Sequence, residues 1–325
     1  MLIKVENLTK IYKSYERGNS FGEAVKSLFV RKTKLVEALK GISFNIDKGE
    51  LVGFLGPNGA GKSTTLKVLT GILFPTDGKV DIMGYTPWKQ RKKYVAHIGA
   101  VFGQKSQLLW DIPPLDAFNL NKAIYSIPDS EFNKKLSYMV ELLSLQDLIK
   151  KPTRLLSLGE RMKCEFIMAM LHNPEIVFLD EPTIGLDVIA KDKIREFILE
   201  MNKQGVTFIL TTHDLGDVER LARRVIVINH GETVFDNSIE ALKSHLGTKK
   251  VVSITTHGPL PSLEMPGVEL KNKVSEYNAE LELDVSIMEL NKFIDYINKN
   301  STLSDMTLQE LPIEGVIKDL YTHGQ

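Results

Sequence analysis

One cysteine, Cys164, stands among 325 residues. No intrachain disulfide can form and no thiolate cluster can hold zinc, so a reducing compartment is the expectation. Neither sign of charge is in excess: 41 Lys plus Arg balance 41 Asp plus Glu. The chain lacks both the basic field that grips nucleic acid and the acidic bias of a disordered segment, and no nucleic-acid partner is expected. No run approaches the roughly 18–20 apolar residues that span a bilayer. Residues 1–6 lack the apolar stretch of a signal peptide, so any membrane role is expected to go through a partner. Repeats, heptads and low-complexity tracts are also missing. What is present is 43% hydrophobic residues, ample for one large packed domain and a smaller one.

The chain is organised around residues 51–65. The apolar run Leu51 to Leu55 meets Gly56-Pro57-Asn58-Gly59-Ala60-Gly61-Lys62-Ser63-Thr64, and residues 62–73 then read as a helix. Strand, glycine-rich turn and helix in that order form the P-loop pattern. Glycine is needed because the backbone must curl with its N–H groups inward onto phosphate oxygens, while the following helix aims its positive end at the same place. Nucleotide binding is assigned to Gly56, Asn58, Gly59, Gly61, Lys62, Ser63 and Thr64. Lys62 would reach the β- and γ-phosphates, and the Ser63 hydroxyl would ligate Mg²⁺.

Before this motif, residues 2–8 and 39–47 alternate as strands. The segment 13–37 interrupts them and holds a possible amphipathic helix, with Phe21, Val25, Leu28 and Phe29 on one face. That face is either a docking element or a solvated excursion. After the motif come short strands at 79–83 and 96–102. Residues 104–160 change character: Pro113, Pro114 and Pro128 punctuate, and Leu136, Met139, Val140 and Leu143 carry helical spacing, as an inserted helical lobe would. A helix from 160 to 172 leads into strands at 176–179, 207–210 and 225–228, separated by helices at 189–203 and 215–222. Strands alternating with helices predict a parallel α/β sheet. The larger domain is placed at 1–240. Residues 247–325 read as a small α+β domain: strands at 251–256 and 280–285, a helix at 287–299, a strand at 303–311 and a last helix to 321. His257 and His323 there read as surface residues.

Asp180 and Glu181 end an apolar strand and precede Pro182-Thr183-Ile184-Gly185-Leu186-Asp187. After a P-loop this is the second nucleotide motif: Asp180 would hold Mg²⁺ and Glu181 would polarise the attacking water. Upstream lies Leu156-Ser157-Leu158-Gly159-Glu160, just before a helix. With these residues in this order, the chain resembles the nucleotide-binding subunits of ABC transporters, whose signature loop reads Leu-Ser-Gly-Gly-Gln. Leu158 and Glu160 depart from it; Ser157 and Gly159 are kept.

The resemblance implies an α/β P-loop NTPase fold with a RecA-like parallel-sheet core, an antiparallel β subdomain and the inserted lobe. It implies ATP and Mg²⁺ as ligands. Gln104 would sense Mg²⁺ and the attacking water, with Gln107 as the alternative. His213 would contact the γ-phosphate and orient Glu181. Tyr12 would stack on adenine, and Asp187 would communicate across a dimer. Ser157 and Gly159 would close over the γ-phosphate held by a second nucleotide-binding subunit, expected to be an identical chain. Ala38-Leu39-Lys40-Gly41-Ile42-Ser43-Phe44, the Thr183 to Asp187 turn and the appended domain are similar to cassettes of ABC-2-type exporters. In that group integral membrane permease subunits are separate chains, which places the protein peripherally on the cytoplasmic face of the cell membrane. A soluble ABC-type ATPase acting on ribosomes or DNA is the alternative. A regulatory protein with a dead site is a third reading.

Overall fold

A computed structural model describes residues 1–15, 33–103, 106–212, 214–244 and 249–310. The possible helix at 21–32, Gln104, His213 and the last helix fall outside the described residues. The chain divides into two compact units, Met1–Asn237 and Ser238–Gln325.

The first unit opens with two long antiparallel strands, β1 (Ile3–Tyr15) and β2 (Thr33–Ile46). Their ladder runs to Tyr15 opposite Thr33, so the ends of the 13–37 segment continue the strands rather than interrupt them. A ladder extends as long as backbone donors and acceptors find partners, whatever the side-chain pattern. β3 (Leu51–Leu55) is buried along its whole length and delivers the glycine-rich turn to α1 (Lys62–Leu69). This helix stops short of the expected residue 73, because Gly71 adopts a left-handed conformation directly after the Thr70 cap. β4 (Asp77–Ile82) completes a three-stranded sheet in the order β2-β1-β4.

After the short α2 (Arg91–Tyr94), β5 (Ile98–Phe102) enters the main sheet. The helical lobe follows as α3 (Pro114–Ile124) and α4 (Asp129–Leu142). α4 buries Phe132, Leu136, Met139 and Val140, one face at 3.6-residue spacing. α5 (Leu158–Met170) packs against both lobe helices and against β5. Then come β6 (Ile176–Asp180), α6 (Val188–Lys203), β7 (Thr207–Thr211), α7 (Leu215–Leu221), β8 (Arg224–Asn229) and β9 (Glu232–Ser238). The six-stranded sheet has the order β5-β6-β7-β3-β8-β9, with parallel pairing at β5-β6, β6-β7, β7-β3 and β3-β8. Parallel strands covered on both faces are apolar throughout rather than alternating, which is why β3, β6 and β7 read as unbroken hydrophobic runs.

The second unit begins with α8 (Ile239–Ser244) and builds a four-stranded antiparallel sheet. Its strands are β10 (Lys249–Thr256), β11 (Val268–Lys273), β12 (Asn278–Asp284) and, after α9 (Leu290–Asn300), β13 (Leu303–Glu310), in the order β11-β12-β10-β13. Phe293 and Ile297 of α9 lie on Val252, Ile254, Leu281 and Leu283. Among the described residues, no helix is long and apolar enough to cross a membrane.

Candidate functional site

The ends of β3, β6 and β7 meet at one edge of the main sheet, and the polar residues gather there. Gly56 and Gly61 have φ of 155° and 115°. A side chain at Gly61 would sit 2.7 Å from the Ala38 carbonyl oxygen, and one at Gly56 would collide with that of Ile228. Both positions thus require glycine for conformation and for space. The resulting loop lines a cleft of about 470 Å³ with residues 56–64, Glu181 and Ile184. Gly61 caps α1 without any side-chain hydrogen bond, so the first-turn N–H groups face this cleft free of an intrachain cap.

Lys62 is only 6% exposed. Its ammonium donates to the carbonyls of Gly56 at 2.6 Å and Pro57 at 3.2 Å, across the mouth of the loop. Burial lowers its pKa, opposed by the carboxylates of Glu181 and Asp180. The Ser63 hydroxyl donates to Asp180 Oδ1 at 3.0 Å, and the Thr211 hydroxyl donates to the same oxygen at 2.5 Å. One strand tip therefore presents a carboxylate whose orientation is fixed from both neighbouring elements. Thr211 was not singled out in the sequence. Its signal was its place as the last residue of a buried parallel strand beside the acid.

Glu181 follows with φ of 53°, a left-handed backbone rare for a non-glycine residue. Its N–H donates to the Thr211 carbonyl at 2.9 Å. Strain of this kind persists where surrounding structure imposes it. Here Gly103 supports it from the other side: a side chain at Gly103 would collide with the Glu181 carbonyl oxygen. A second, smaller cleft, lined in part by Ser63, Asp180, Glu181 and Gly103, adjoins the first. Asp180 and Ser63 offer two hard oxygens, suited to Mg²⁺ when phosphate oxygens complete its shell. Among the described residues, no group of three His, Cys, Asp or Glu side chains forms a metal cage of its own.

Ser157, Gly159 and Asp187 do not line the P-loop cleft. They form a separate patch where the N-termini of α5 and α6 meet. Ser157 caps α5: its Oγ accepts from the Glu160 N–H at 3.2 Å, and Glu160 Oε2 accepts from the Ser157 N–H at 2.7 Å. Glu160, where the signature loop this stretch resembles has glutamine, thus completes a capping box, a role either residue type fills. Gly159 lets the two helices approach, since a side chain there would be 2.8 Å from Ala190 Cβ. Asp187 caps α6 by accepting from the Ala190 N–H at 2.9 Å. Behind the turn, the fully buried carboxylate of Asp217 accepts from the Thr183 hydroxyl and from Arg195 Nε at 2.8 Å.

Tyr12 is an exposed ring on β1, opposite Val36 and outside the P-loop cleft, with the Lys10 ammonium 5.2 Å from its centre. Gln107 points its amide at the Ala100 carbonyl, 2.6 Å away.

A sequence profile described as ABC transporter matches residues 39–184. The linearmycin resistance ATP-binding protein LnrL of Bacillus subtilis (strain 168) is 29% identical over 90% of this chain and 93% of its own length. The ABC transporter ATP-binding protein NatA of the same organism is 30% identical over 66% of this chain and 87% of its own. Among solved structures, the ATP-binding cassette MJ0796, dimeric in a post-hydrolysis state with ADP and Pi, superposes with a TM-score of 0.61 and 26% identity. The superposition covers 73% of this chain and 99% of that one.

Proposed function

The chain belongs to the ABC transporter ATP-binding proteins, with an ATPase cassette of the P-loop NTPase fold, and we propose that it dimerises on ATP to drive export through separate permease subunits of ABC-2 type. The observation that carries this reading is the convergence of Lys62, Ser63, Asp180 and Glu181 at one sheet edge. The chain's likeness to LnrL along nearly its full length supports export and the ABC-2 grouping. A peripheral position on the cytoplasmic face of the membrane follows from a partner permease.

In this mechanism the N–H groups of Gly59 and of Gly61 to Thr64 donate to ATP phosphates, while that of Ala60 stays on the Pro57 carbonyl. Lys62 exchanges the Gly56 and Pro57 carbonyls for phosphate oxygens, a stronger partner for a buried ammonium. Ser63, Asp180 and Gln104 would hold Mg²⁺, which neutralises phosphate charge when bound. Glu181 accepts a proton from the attacking water as the water oxygen bonds to the γ-phosphorus; the bond from that phosphorus to the bridging oxygen breaks, and ADP and phosphate leave. His213 orients Glu181 and the γ-phosphate, and Tyr12 stacks on the adenine. Ser157 and Gly159 close the partner's site rather than their own, in keeping with their separation from the P-loop cleft. The Ser157 oxygen accepts within its own helix cap, which leaves its hydroxyl proton for the partner's γ-phosphate. Asp187 joins the two halves.

Glu181→Gln tests this. Turnover should fall by about 10²–10⁴-fold while ATP binding persists, and size-exclusion chromatography with ATP should show a stable dimer. Captured from cells, that dimer should carry polytopic membrane subunits. Parental hydrolysis, or a monomer at saturating ATP, overturns the mechanism; recovery with ribosomes or DNA alone overturns the transport role.

A further inference from the structure

With Glu181 as the base of the proposed mechanism, whatever fixes its backbone also fixes where its carboxylate stands, and the inference rests on that reading. Glu181 is left-handed, with φ of 53°, and it directly precedes Pro182. A residue before proline ordinarily prefers an extended backbone, and a non-glycine residue rarely turns left-handed. The Thr211 carbonyl accepts its N–H at 2.9 Å, and Gly103 leaves room for its carbonyl oxygen. The chain is held again two residues later, at Thr183. This residue is 2% exposed, and its hydroxyl donates to Oδ2 of Asp217.

Asp217 lies in the first turn of α7 and is fully buried. Its other oxygen, Oδ1, accepts from Arg195 of α6, through Nε at 2.8 Å and through Nη2. Arg195 reaches on through Nη1 to Asp192 Oδ1 at 2.8 Å, and Arg220 donates to that same oxygen at 2.8 Å. One oxygen of Asp217 is thus neutralised by a guanidinium that is itself held in place, and the other accepts the Thr183 hydroxyl. A buried ion pair adds little to stability compared with apolar side chains of the same volume. Stability alone therefore gives a poor account of Asp217 and Arg195 at this place. What they provide is a fixed, charged acceptor at one point of the turn, and a hydrogen bond to such an acceptor is roughly twice as strong as one between neutral groups. Pro182 has a fixed φ. Between the Glu181 N–H on Thr211 and the Thr183 hydroxyl on Asp217, few torsions are left free.

We propose that Asp217 is a positioning residue for Glu181, acting through the Thr183 hydroxyl and itself held by Arg195. The contact clamps the turn at Thr183 and so keeps Glu181 left-handed, with its side chain at the edge of the P-loop cleft. When the contact is lost, the turn relaxes toward the extended backbone that Pro182 favours, and the carboxylate leaves the attacking water. Thr183, Arg195 and Asp217 do not line the P-loop cleft. Their influence on hydrolysis therefore goes through Glu181, and the binding of ATP by the P-loop is left intact.

The test uses Thr183→Val, Thr183→Ser and Asp217→Asn in the full chain, with Thr183→Val also combined with Glu181→Gln. Thr183→Val removes the hydroxyl and leaves Asp217 with Arg195. It should lower kcat by about 10- to 100-fold, as misplacement of a reacting group does, with KM for ATP within about twofold. Thr183→Ser keeps the donor and should hold kcat within about threefold of the parent. In the Glu181→Gln background, followed in single turnover, Thr183→Val should cost nothing further, because the group it positions is already gone. Asp217→Asn weakens the acceptor in the same space; it should lower kcat in the same way and carries the test if Thr183→Val does not fold. Parental kcat in Thr183→Val, equal losses in Thr183→Ser and Thr183→Val, or the same loss with and without Glu181→Gln would each overturn the proposal. A loss confined to KM would overturn it too, since a turn that only shapes the cleft acts in that way. Glu181→Gln alone separates the two readings. If it is inactive, a negative result falls on Asp217; if it is fully active, the functional reading fails and takes this inference with it.

Discussion

At the scale of single residues, Lys135 carries the plainest titration behaviour. Its ammonium donates to the Met170 carbonyl and to the Asn173 side chain, at the carboxyl end of α5. Burial lowers its pKa from 10.5 to about 8, against the attraction of Glu131. Between these values the unfolded chain holds a proton that the folded chain has released, so stability rises with pH across that window. The difference in thermal midpoint between the parent and Lys135→Met should therefore grow in the parent's favour from pH 8 to pH 10. A difference flat in pH would show that Lys135 keeps an ordinary pKa in the fold. The residues legible in the sequence were those whose neighbours are close along the chain. Gly56 to Thr64 announce themselves because an inward-curled loop restricts residue type at consecutive positions. Asp217 does not, since its partners Thr183 and Arg195 lie 34 and 22 residues away. Thr211 reaches Asp180 across 31 residues and was equally silent.

At the scale of elements, the capping box of α5 decides how the departures in the signature loop are understood. A serine at the N-cap with glutamate or glutamine three residues on satisfies two orphan N–H groups reciprocally. Glu160 keeps that function, so the local geometry of Ser157 does not depend on the family's glutamine. Glu160→Gln should leave the unfolding free energy unchanged, whereas Glu160→Ala should lower it by about 0.5–1 kcal/mol. Equal stability of all three in chemical denaturation would mean the box contributes nothing. The inner strands β3, β6, β7 and β8 of the main sheet were readable as apolar runs because both faces are covered; β9, half-exposed at its edge, was missed. β11 was missed because it is an edge strand, exposed along nearly all its length, whose alternation is confined to Val268 and Leu270 before Asn272 and Lys273 end it. The continuation of β1 and β2 to Tyr15 and Thr33 was hidden for a related reason: backbone pairing sustains it.

At the scale of the whole molecule, two units each possess a hydrophobic cluster of their own. One gathers Phe44, Phe54, Leu66, Phe178 and Ile226 around the P-loop helix; the other gathers Val252, Leu281, Phe293 and Ile297. A unit with its own core can fold without its neighbour. Every residue assigned to nucleotide chemistry falls within the first unit. The second should therefore be dispensable for binding ATP and free to serve dimerisation or regulation. A chain ending after residue 244, which keeps β9 whole, should fold cooperatively and bind ATP with an affinity within about threefold of the parent, a difference under about 1 kcal/mol. ATP-dependent dimerisation, measured on the same fragment by sedimentation, then separates two roles. A fragment that binds ATP but no longer dimerises assigns assembly to the appended sheet. A fragment that aggregates or cannot bind ATP would show that the two cores are not independent, and the division of labour between the units would fall.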